Sequence, residues 1–369
     1  MIYLDNAATT FPKPQCVIKE VTKCIEKYCA NPGRSSHKMS LQASEEIYRA
    51  REAVSEFFCL KKPENICFTV NTTYALNLAI KTSITEKCHV IISDIEHNSV
   101  LRPISKLRRT LGIEYSVFST NGNIEENIEN LIKKDTKAIV STLMSNVTGK
   151  KVPLSVLSKV AVKHHLTLII DAAQLAGHEY INLEENPCSI FCAPGHKGLF
   201  GIQGCGFAVF CDDERRDSFI EGGSGADSKS LYMPDYLPER FEAGTLPTPS
   251  IVSLRAGIEF INSKGIGNVT KKLDRLTEIY SERISSVKGC KILGSGGGII
   301  AFDVKDMLSS VVAQELDNKD IYVRSGLHCA PMTHEMLGSA DKGLVRVSLS
   351  ILNTEKDADI LYKTLCALM

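Results

Sequence analysis

Residues 166 to 204 read LTLIIDAAQLAGHEYINLEENPCSIFCAPGHKGLFGIQG, and this stretch decides the fold. Two apolar runs, LTLII and the one that ends in FCA, are each followed within a few positions by a charged side chain. Runs this apolar are typical of strands covered on both faces. Parallel sheets bind ligands beyond the carboxyl ends of their strands, so Asp171 and Lys197 become the first candidate functional residues.

The same alternation continues on either side of this stretch. ICFTV, HVIIS and KAIVSTLM have strand character, and helical patterns begin at about Thr73, at about Asn98 and at LSVLSKVAVKHH. Such alternation predicts β-α-β units and a mainly parallel sheet with helices on both faces. The predicted fold class is therefore α/β.

A second, smaller unit is expected towards the C-terminus. After the Pro- and Gly-rich RFEAGTLPTPS and a long helical pattern, GGGIIAFDV, IYVRSGLHCA and LVRVSLS have strand character again. We predict a large domain over 15–250 and a small α/β domain over 251–369, which the segment 1–14 joins.

Composition excludes several classes of partner. Lys and Arg together number 43, as do Asp and Glu, and no long block of one charge sign occurs, so nucleic acid and anionic membranes are not expected partners. No apolar run approaches the ~20 residues that span a bilayer, and the N-terminus has no signal-peptide pattern, so a cytoplasmic protein is expected. The thirteen cysteines show no C-x-x-C pairing, and Cys188 and Cys192 have no matching ligand pair, so no metal site is expected.

Asp171 and Lys197 together suggest a particular chemistry. Alone, Asp171 suits a helix N-cap and Lys197 a solvated surface charge. They are 26 positions apart, about one β-α-β step, so they can end neighbouring strands. Pyridoxal phosphate requires such a pair, because the lysine forms the Schiff base and the carboxylate keeps the pyridine nitrogen protonated.

A phosphate site and a ring-stacking residue have weaker signals. Thr72 and Thr73 lie between a strand and an amphipathic helix, where hydroxyls and backbone N–H groups can hold a phosphate or simply cap the helix. His97 lies at another strand-to-helix turn, and an imidazole there can stack on a flat ring or serve only the structure.

Seven motifs in order give a resemblance to a known family. YLDNAATT, DIEHNSV, SNVTG, DAAQLAGH, GHKGLFGIQG, FEAGT and VRSGLHCA resemble those of the class V aminotransferase-like, fold type I pyridoxal phosphate enzymes. The chain resembles in particular the group II cysteine desulfurases, the branch that also contains selenocysteine lyases. The resemblance covers essentially the whole chain.

The resemblance implies roles for the cofactor-binding residues. Lys197 would be the Schiff-base lysine, Asp171 the partner of the pyridine nitrogen, and His97 the residue stacked on the ring. Gln174 would hydrogen-bond the phenolic oxygen. The phosphate would be held by threonine hydroxyls and a histidine: Thr72, Thr73, His196 and, from the second subunit of a homodimer, Thr245.

The resemblance also implies how substrate is held. Asn146 and Arg346 would face it, with Arg346 pairing with its carboxylate through a bidentate fork. Arg34 and Arg324 match basic positions near the active-site mouth. One departure is Pro194, where the family usually has a serine or threonine that offers the phosphate a hydroxyl; proline offers neither a hydroxyl nor an N–H.

Cys329 distinguishes the chain from ordinary transaminases. It follows Arg324, Gly326 and His328 in a glycine-containing loop, where positive charge and partial exposure favour the thiolate. The family places its sulfur-accepting cysteine here, so we expect a homodimeric enzyme that converts L-cysteine to L-alanine and a Cys329 persulfide, for delivery to a sulfur-acceptor protein. The alternatives are a selenocysteine lyase acting on L-selenocysteine, another class V aminotransferase or lyase in which Cys329 is incidental, and a cofactor-binding scaffold or sulfur-relay partner that has lost turnover.

Overall fold

The computed structural model describes residues 1–33 and 36–368. Its strands are β1 (Ile2–Tyr3), β2 (Ile66–Thr69), β3 (His89–Ser93), β4 (Glu114–Phe118), β5 (Thr136–Thr142), β6 (Thr167–Asp171), β7 (Ile190–Pro194), β8 (Gly206–Phe210), β9 (Cys290–Gly296), β10 (Ile299–Val304), β11 (Ile321–Tyr322), β12 (Arg324–Gly326) and β13 (Leu344–Ser348). Its α-helices are α1 (Gln15–Lys27), α2 (Lys38–Phe57), α3 (Thr72–Ser83), α4 (Asn98–Leu111), α5 (Ile124–Glu129), α6 (Leu154–His164), α7 (Thr248–Lys264), α8 (Ile266–Ser285), α9 (Ser309–Asp317), α10 (Pro331–Met336) and α11 (Glu355–Leu368).

The central sheet has seven strands in the order β2-β8-β7-β6-β5-β3-β4. β4, β3, β5, β6 and β7 pair in parallel, and β8 pairs antiparallel with both β7 and β2. β8 is therefore reversed and the other six strands run in one direction. Their carboxyl ends consequently meet at one edge of the sheet.

Helices cover both faces of this sheet, as the apolar strands predict. Alternate residues of each strand enter different core clusters: Ile91 of β3 packs into one, whereas its neighbours Val90 and Ile92 pack into the other. Strand side chains point alternately to opposite faces, so both faces must be buried for a run such as HVIIS to be stable. The prediction of a mainly parallel α/β sheet is confirmed.

Local signals start and end the helices that flank the strand ends. The Asn71 side chain caps α3 by accepting the Tyr74 N–H, and the His97 side chain caps α4 by accepting the Ser99 N–H. α4 ends at Gly112, whose positive φ of 69° suits a residue without a Cβ. These caps place residues 71–73 and 97–99 at the same sheet edge.

A second sheet, of order β12-β13-β10-β9, is antiparallel throughout. The N-terminal strand β1 pairs in parallel with β11, and Asn6 donates to the Ser348 carbonyl, so the chain start lies against this later part of the molecule. One core cluster continues from the large sheet to the small one, including Phe191 of β7 and Phe302 of β10. The predicted domain boundaries at residues 14 and 250 stay a prediction. Within residues 1–33 and 36–368, no helix is both long enough and apolar enough to span a membrane.

Candidate active site

A pocket lies where the carboxyl ends of β2, β3, β5, β6 and β7 meet. It encloses about 520 Å³ of empty space, including the part open to solvent. The predicted residues that line it are Thr72, Thr73, His97, Asn146, Asp171, Gln174, His196 and Lys197. These residues come from five separate segments, and the parallel sheet brings them together.

The turn that carries Lys197 is tightly packed. The Gly201 N–H donates to the Gly195 carbonyl at 2.7 Å, which closes a loop around the lysine. Gly257 of α7 lies so close that a Cβ there would be 1.9 Å from the Leu199 carbonyl oxygen. The glycines in and near GHKGLFGIQG therefore allow backbone segments to approach each other behind Lys197, which holds the lysine at the pocket wall.

Burial shifts the pKa values of Lys197 and Asp171 in opposite directions, and the charge of each residue acts against the shift of the other. Burial lowers the pKa of Lys197 to about 8, and Asp171 acts in the opposite direction. Burial raises the pKa of the Asp171 carboxyl, while the Ala173 N–H and Lys197 act against that rise. A partly neutral amine beside a carboxylate suits both imine formation and proton transfer.

Asp171 also has a local structural bond. Its Oδ1 accepts the Ala173 N–H at 2.8 Å, the type of bond that a capping aspartate makes. A turn over 173–175 follows, rather than the helix that the capping alternative requires. The carboxyl is 3 % exposed and lines the pocket, so its burial needs a cationic partner there.

His97 is oriented by hydroxyl groups. Its Nδ1 lies 2.9 Å from the Ser99 hydroxyl and accepts the Ser99 N–H at 3.0 Å, and the same hydroxyl lies 2.8 Å from that of Thr73. Burial, with the charges of Lys197 and nearby arginines, lowers the pKa of His97 to about 4. His97 is therefore a neutral ring held in one orientation at the pocket wall.

Two buried polar atoms at one end of the pocket have no hydrogen-bond partner among the described residues: Thr72 Oγ1 and His196 Nδ1. Both residues line the pocket, and Thr72 is the first residue of α3, where backbone N–H groups and the helix dipole favour an anion. A Cβ on Gly206 would come within 2.8 Å of the Thr72 nitrogen, so a glycine is required where β8 passes this helix start. Unpaired donors at a helix start fit a phosphate, and Thr72 offers a hydroxyl that Pro194 does not.

The N-terminal segment contacts the turn that carries Lys197. The His196 carbonyl accepts hydrogen bonds from the Thr10 N–H at 3.1 Å and from Lys13 Nζ at 2.9 Å. Gln174 Nε2 donates to the Ala7 carbonyl at 3.2 Å, which holds its amide at the pocket wall. Burial lowers the pKa of Lys13 to about 8.

Arg346 and Arg324, two of the three predicted substrate arginines, are not among the pocket-lining residues, but their charges act on the pocket. Arg346 is 1 % exposed, pairs with Asp5 at 2.7 Å and donates to the Asn146 carbonyl at 2.9 Å. Its Nε has no partner among the described residues, which leaves one buried donor free. Arg324 is opposite Arg346 in the β12–β13 register and has no ion pair within the described part of the chain. Both arginines lower the pKa of Lys197.

Cys329 lies on an exposed loop that is attached to the pocket. Its carbonyl accepts the Asn98 N–H at 2.8 Å, directly beside His97. The preceding residue, His328, offers its carbonyl to Asn146 Nδ2 at 2.6 Å. The loop is thus bonded to two turns that line the pocket, and the Cys329 side chain remains open to solvent.

One predicted cofactor-binding residue is not brought to this pocket. Thr245 is exposed and does not line it, in keeping with its predicted role towards a second subunit. Arg34 lies outside the described residues. Among the residues that are described, no group of three or more His, Cys, Asp or Glu side chains is arranged to hold a metal ion.

Sequence reasoning missed several residues of the site. Asp5 pairs with Arg346, Ser99 orients His97, and Lys13 binds the lysine turn. Glu96 is 0 % exposed, and burial raises the pKa of its carboxyl to about 8. Asp5 lies in YLDNAATT, and Glu96 and Ser99 lie in DIEHNSV, two of the motifs that carry the family resemblance. Membership of these motifs was the sequence signal that could have identified the three residues.

Comparison with known proteins agrees with this geometry. The sequence model of the family described as Aminotransferase class-V matches residues 2–361. A probable cysteine desulfurase of Methanothermobacter thermautotrophicus is 31% identical over 99% of this chain and 94% of its own length. One of Halalkalibacterium halodurans is 30% identical over 99% of this chain and 92% of its own length.

A solved structure leads to the same family. The apo structure of a cysteine desulfurase from Thermococcus onnurineus NA1 superposes with a TM-score of 0.93 at 29% identity, and the match covers 100% of this chain and 94% of that one. Fold type I pyridoxal phosphate enzymes share this mainly parallel sheet with the ligand site at its carboxyl edge. The chain belongs to the aminotransferase class-V family and has its fold type I architecture.

Proposed function

We propose that this chain is a pyridoxal-phosphate-dependent cysteine desulfurase that moves sulfur from L-cysteine to Cys329 and releases L-alanine. The observation that carries the proposal is the bond from the Asn98 N–H to the Cys329 carbonyl, which attaches an exposed thiol loop to the turn of His97. The relatives named above support the same activity.

The pocket residues fit the cofactor by their donor set. The unpaired Thr72 hydroxyl and His196 Nδ1, with the α3 N-terminus and Thr73, would hold the phosphate. Lys197 would form the Schiff base, Asp171 would face the pyridine nitrogen and Gln174 the phenolic oxygen. When bound, the cofactor supplies an electron sink that makes the bonds at the substrate's α-carbon labile.

Lys197 is the candidate proton carrier. A pKa of about 8 leaves a measurable fraction of its Nζ neutral at neutral pH, so the atom can accept the substrate's α-proton and return it. The neutral ring of His97 would stack on the cofactor, and its Nδ1 is already occupied by Ser99. His97 would therefore orient rather than ionise.

Arg346 would bind the substrate carboxylate with its unpaired Nε and the donors that it now shares with Asp5 and Asn146. An arginine already fixed by two partners loses little side-chain entropy on binding a third. Asn146 would also face the substrate, and Arg324 and Arg34 would attract the substrate's carboxylate to the pocket mouth.

The sulfur step balances without an external oxidant. The Cys329 thiolate attacks the substrate sulfur, an S–S bond forms and the C–S bond breaks. The electron pair of that bond stays with the substrate's β-carbon, which takes a proton to become the methyl group of L-alanine. The product on the enzyme is a Cys329 persulfide, and a thiol or a sulfur-acceptor protein must remove its outer sulfur before the next turnover.

We also propose a cytoplasmic homodimer, with domain boundaries at residues 14 and 250. Thr245 is exposed, and in the preceding segment Leu231 is 98% exposed and Tyr232 is 86% exposed. Large apolar side chains that are exposed to this degree favour burial against another protein surface. In such a dimer Thr245 would complete the partner subunit's phosphate site.

The test is to incubate the purified holoenzyme with L-cysteine, quantify L-alanine and map added sulfur by peptide mass spectrometry. We expect one extra sulfur on the Cys329 peptide, no persulfide in Cys329→Ser, and no turnover in Lys197→Ala. Cys366→Ser is the matched control, because Cys366 is also exposed but lies in α11. Undiminished L-alanine formation by Cys329→Ser, or sulfur found on another cysteine, would refute the proposal.

A further inference from the structure

Two buried histidines, one in the Cys329 loop and one in the following helix, contact each other. His328 is 3 % exposed and His334 is 0 % exposed. Their rings lie edge to edge in nearly the same plane, with centroids 5.6 Å apart, planes inclined by 18° and His328 Nδ1 3.4 Å from His334 Nε2. His328 precedes Cys329 in the loop, whereas His334 belongs to α10, so the ring pair connects the loop to a helix.

The hydrogen bonds determine which nitrogen of each ring carries the proton. His328 Nε2 lies 3.3 Å from the Arg324 carbonyl, which can only accept, so this nitrogen is the donor. In the neutral ring His328 Nδ1 must then accept, and the group facing it at 3.4 Å is His334 Nε2. His334 Nδ1 is then the acceptor, and the Ser339 hydroxyl, 2.8 Å from it and 3.4 Å from the His334 carbonyl, donates its single proton to the nearer atom.

The result is a directed chain from Ser339 through both rings to the Arg324 carbonyl. Burial lowers the pKa of His328 to about 3, assisted by the charge of Arg346, and burial also lowers the pKa of His334. Both rings are therefore neutral at physiological pH, as the chain of donors and acceptors requires. A proton added to His328 Nδ1 would place two donors face to face.

The chain ends at a backbone that needs support. His328 and Cys329 both have left-handed conformations, with φ of 49° and 58°. Such conformations are unfavourable for residues with a Cβ and persist only where the surroundings determine them. The bonds of Asn146 and Asn98 to the two carbonyls hold the backbone, and the His334 bond holds the His328 side chain.

We propose that His334 is a positioning residue that, through the ring of His328, holds Cys329 in the orientation needed for attack on the substrate sulfur. His334 itself is not among the residues that line the pocket. The inference rests on the proposed function, because it assigns a purpose to the conformation of the sulfur-accepting loop.

The experiment compares two substitutions of one residue. His334→Phe fills the space without donating, whereas His334→Gln retains an amide N–H close to the position of Nε2. For each holoenzyme the rate of persulfide formation on Cys329 is measured by rapid quench and mass spectrometry, and L-cysteine affinity is measured from the cofactor's absorbance. We expect His334→Phe to slow sulfur transfer at least tenfold with affinity unchanged within twofold, and His334→Gln to remain within threefold of wild type.

His89→Phe is the matched control for loss of a buried imidazole. His89 is 0 % exposed, bonds to two hydroxyls at 2.8 Å, and lies at the start of β3, the end of the strand opposite to the pocket. It should lose stability without slowing sulfur transfer. If His334→Phe does not fold, Ser339→Ala replaces it, with an expected slowing of at least threefold.

The outcomes separate this inference from the proposed function. A wild-type enzyme that forms no persulfide on Cys329 refutes the function itself. A wild-type enzyme that forms it, together with a folded His334→Phe variant of equal rate, refutes only the positioning role. Equal slowing by Phe and Gln, or equal slowing by His89→Phe, also overturns it, because these results indicate a general packing effect. With Ser339→Ala as the test variant, an unchanged rate overturns it.

Discussion

Arg51 and Glu242 form a buried ion pair that ties the FEAGT motif to the large sheet. Both side chains are 6% exposed. Arg51 also donates to the Ile66 carbonyl and lies over the Phe68 ring, 4.6 Å from its centroid, and Glu242 Oε1 accepts the Phe68 N–H at 2.6 Å. Thr245, which we propose reaches the partner subunit's site, follows Glu242 by three residues.

Glu242→Ala should destabilise the protein strongly. The change leaves the guanidinium of Arg51 buried without its counter-ion and the Phe68 N–H without its acceptor. Breaking a buried pair in this way costs about 3–5 kcal/mol. An unfolding entropy of about 2.1 cal/mol/K per residue gives a chain of 369 residues about 0.8 kcal/mol per degree, so Tm should fall by about 4–6 °C.

The assay is differential scanning calorimetry of the cofactor-free protein at pH 7.5. Glu125→Gln is the control, because its pair with Lys159 is a surface pair whose loss should cost at most about 1 kcal/mol. The double variant Arg51→Met, Glu242→Leu should recover most of the lost stability, since an apolar replacement removes the unpaired charge.

Two results would refute this reasoning. The first is a Glu242→Ala variant whose Tm lies within 1 °C of wild type. The second is a double variant that loses as much stability as the single variants Arg51→Met and Glu242→Leu combined, because that outcome assigns the cost to packing rather than to an unpaired charge.

Three further changes test other parts of the structure. Burial raises the pKa of the Glu96 carboxyl from 4.5 to about 8, so its contribution to stability is full below about pH 4.5 and is lost progressively as pH rises to 8; Glu96→Gln should match wild type in urea unfolding at pH 4 and exceed it at pH 8 by on the order of 4 kcal/mol. Equal stabilities at pH 8 would contradict this. Gly257→Ala should lower Tm and reduce the cofactor's absorbance per subunit, because a Cβ there meets the Leu199 carbonyl, and a variant with normal absorbance would contradict the packing argument. Asp171→Asn should keep Tm within about 2 °C, since one oxygen can still accept the Ala173 N–H, but should lose most L-alanine formation; preserved turnover with reduced stability would favour the capping role.

The amino-acid sequence by itself determined the strands, their ends and the chemistry expected there. Runs such as LTLII are apolar on both faces, and this local pattern requires a strand covered on two sides. Because such strands lie parallel, the residues after them must meet at one edge, so Asp171, Lys197 and His97 could be predicted to converge before any coordinates, and the family resemblance added Asn146. The structure brings all four to one pocket.

Only the tertiary structure decided which distant segments complete the site. The Arg346–Asp5 pair joins residues 341 positions apart, and Lys13 reaches a carbonyl 183 positions away. The facing rings of His328 and His334 depend on a left-handed loop that no periodicity predicts. Local propensity acts over a few residues, whereas these contacts arise when two sheets and the chain start pack together, and burial then makes each polar group find the partner nearest in space.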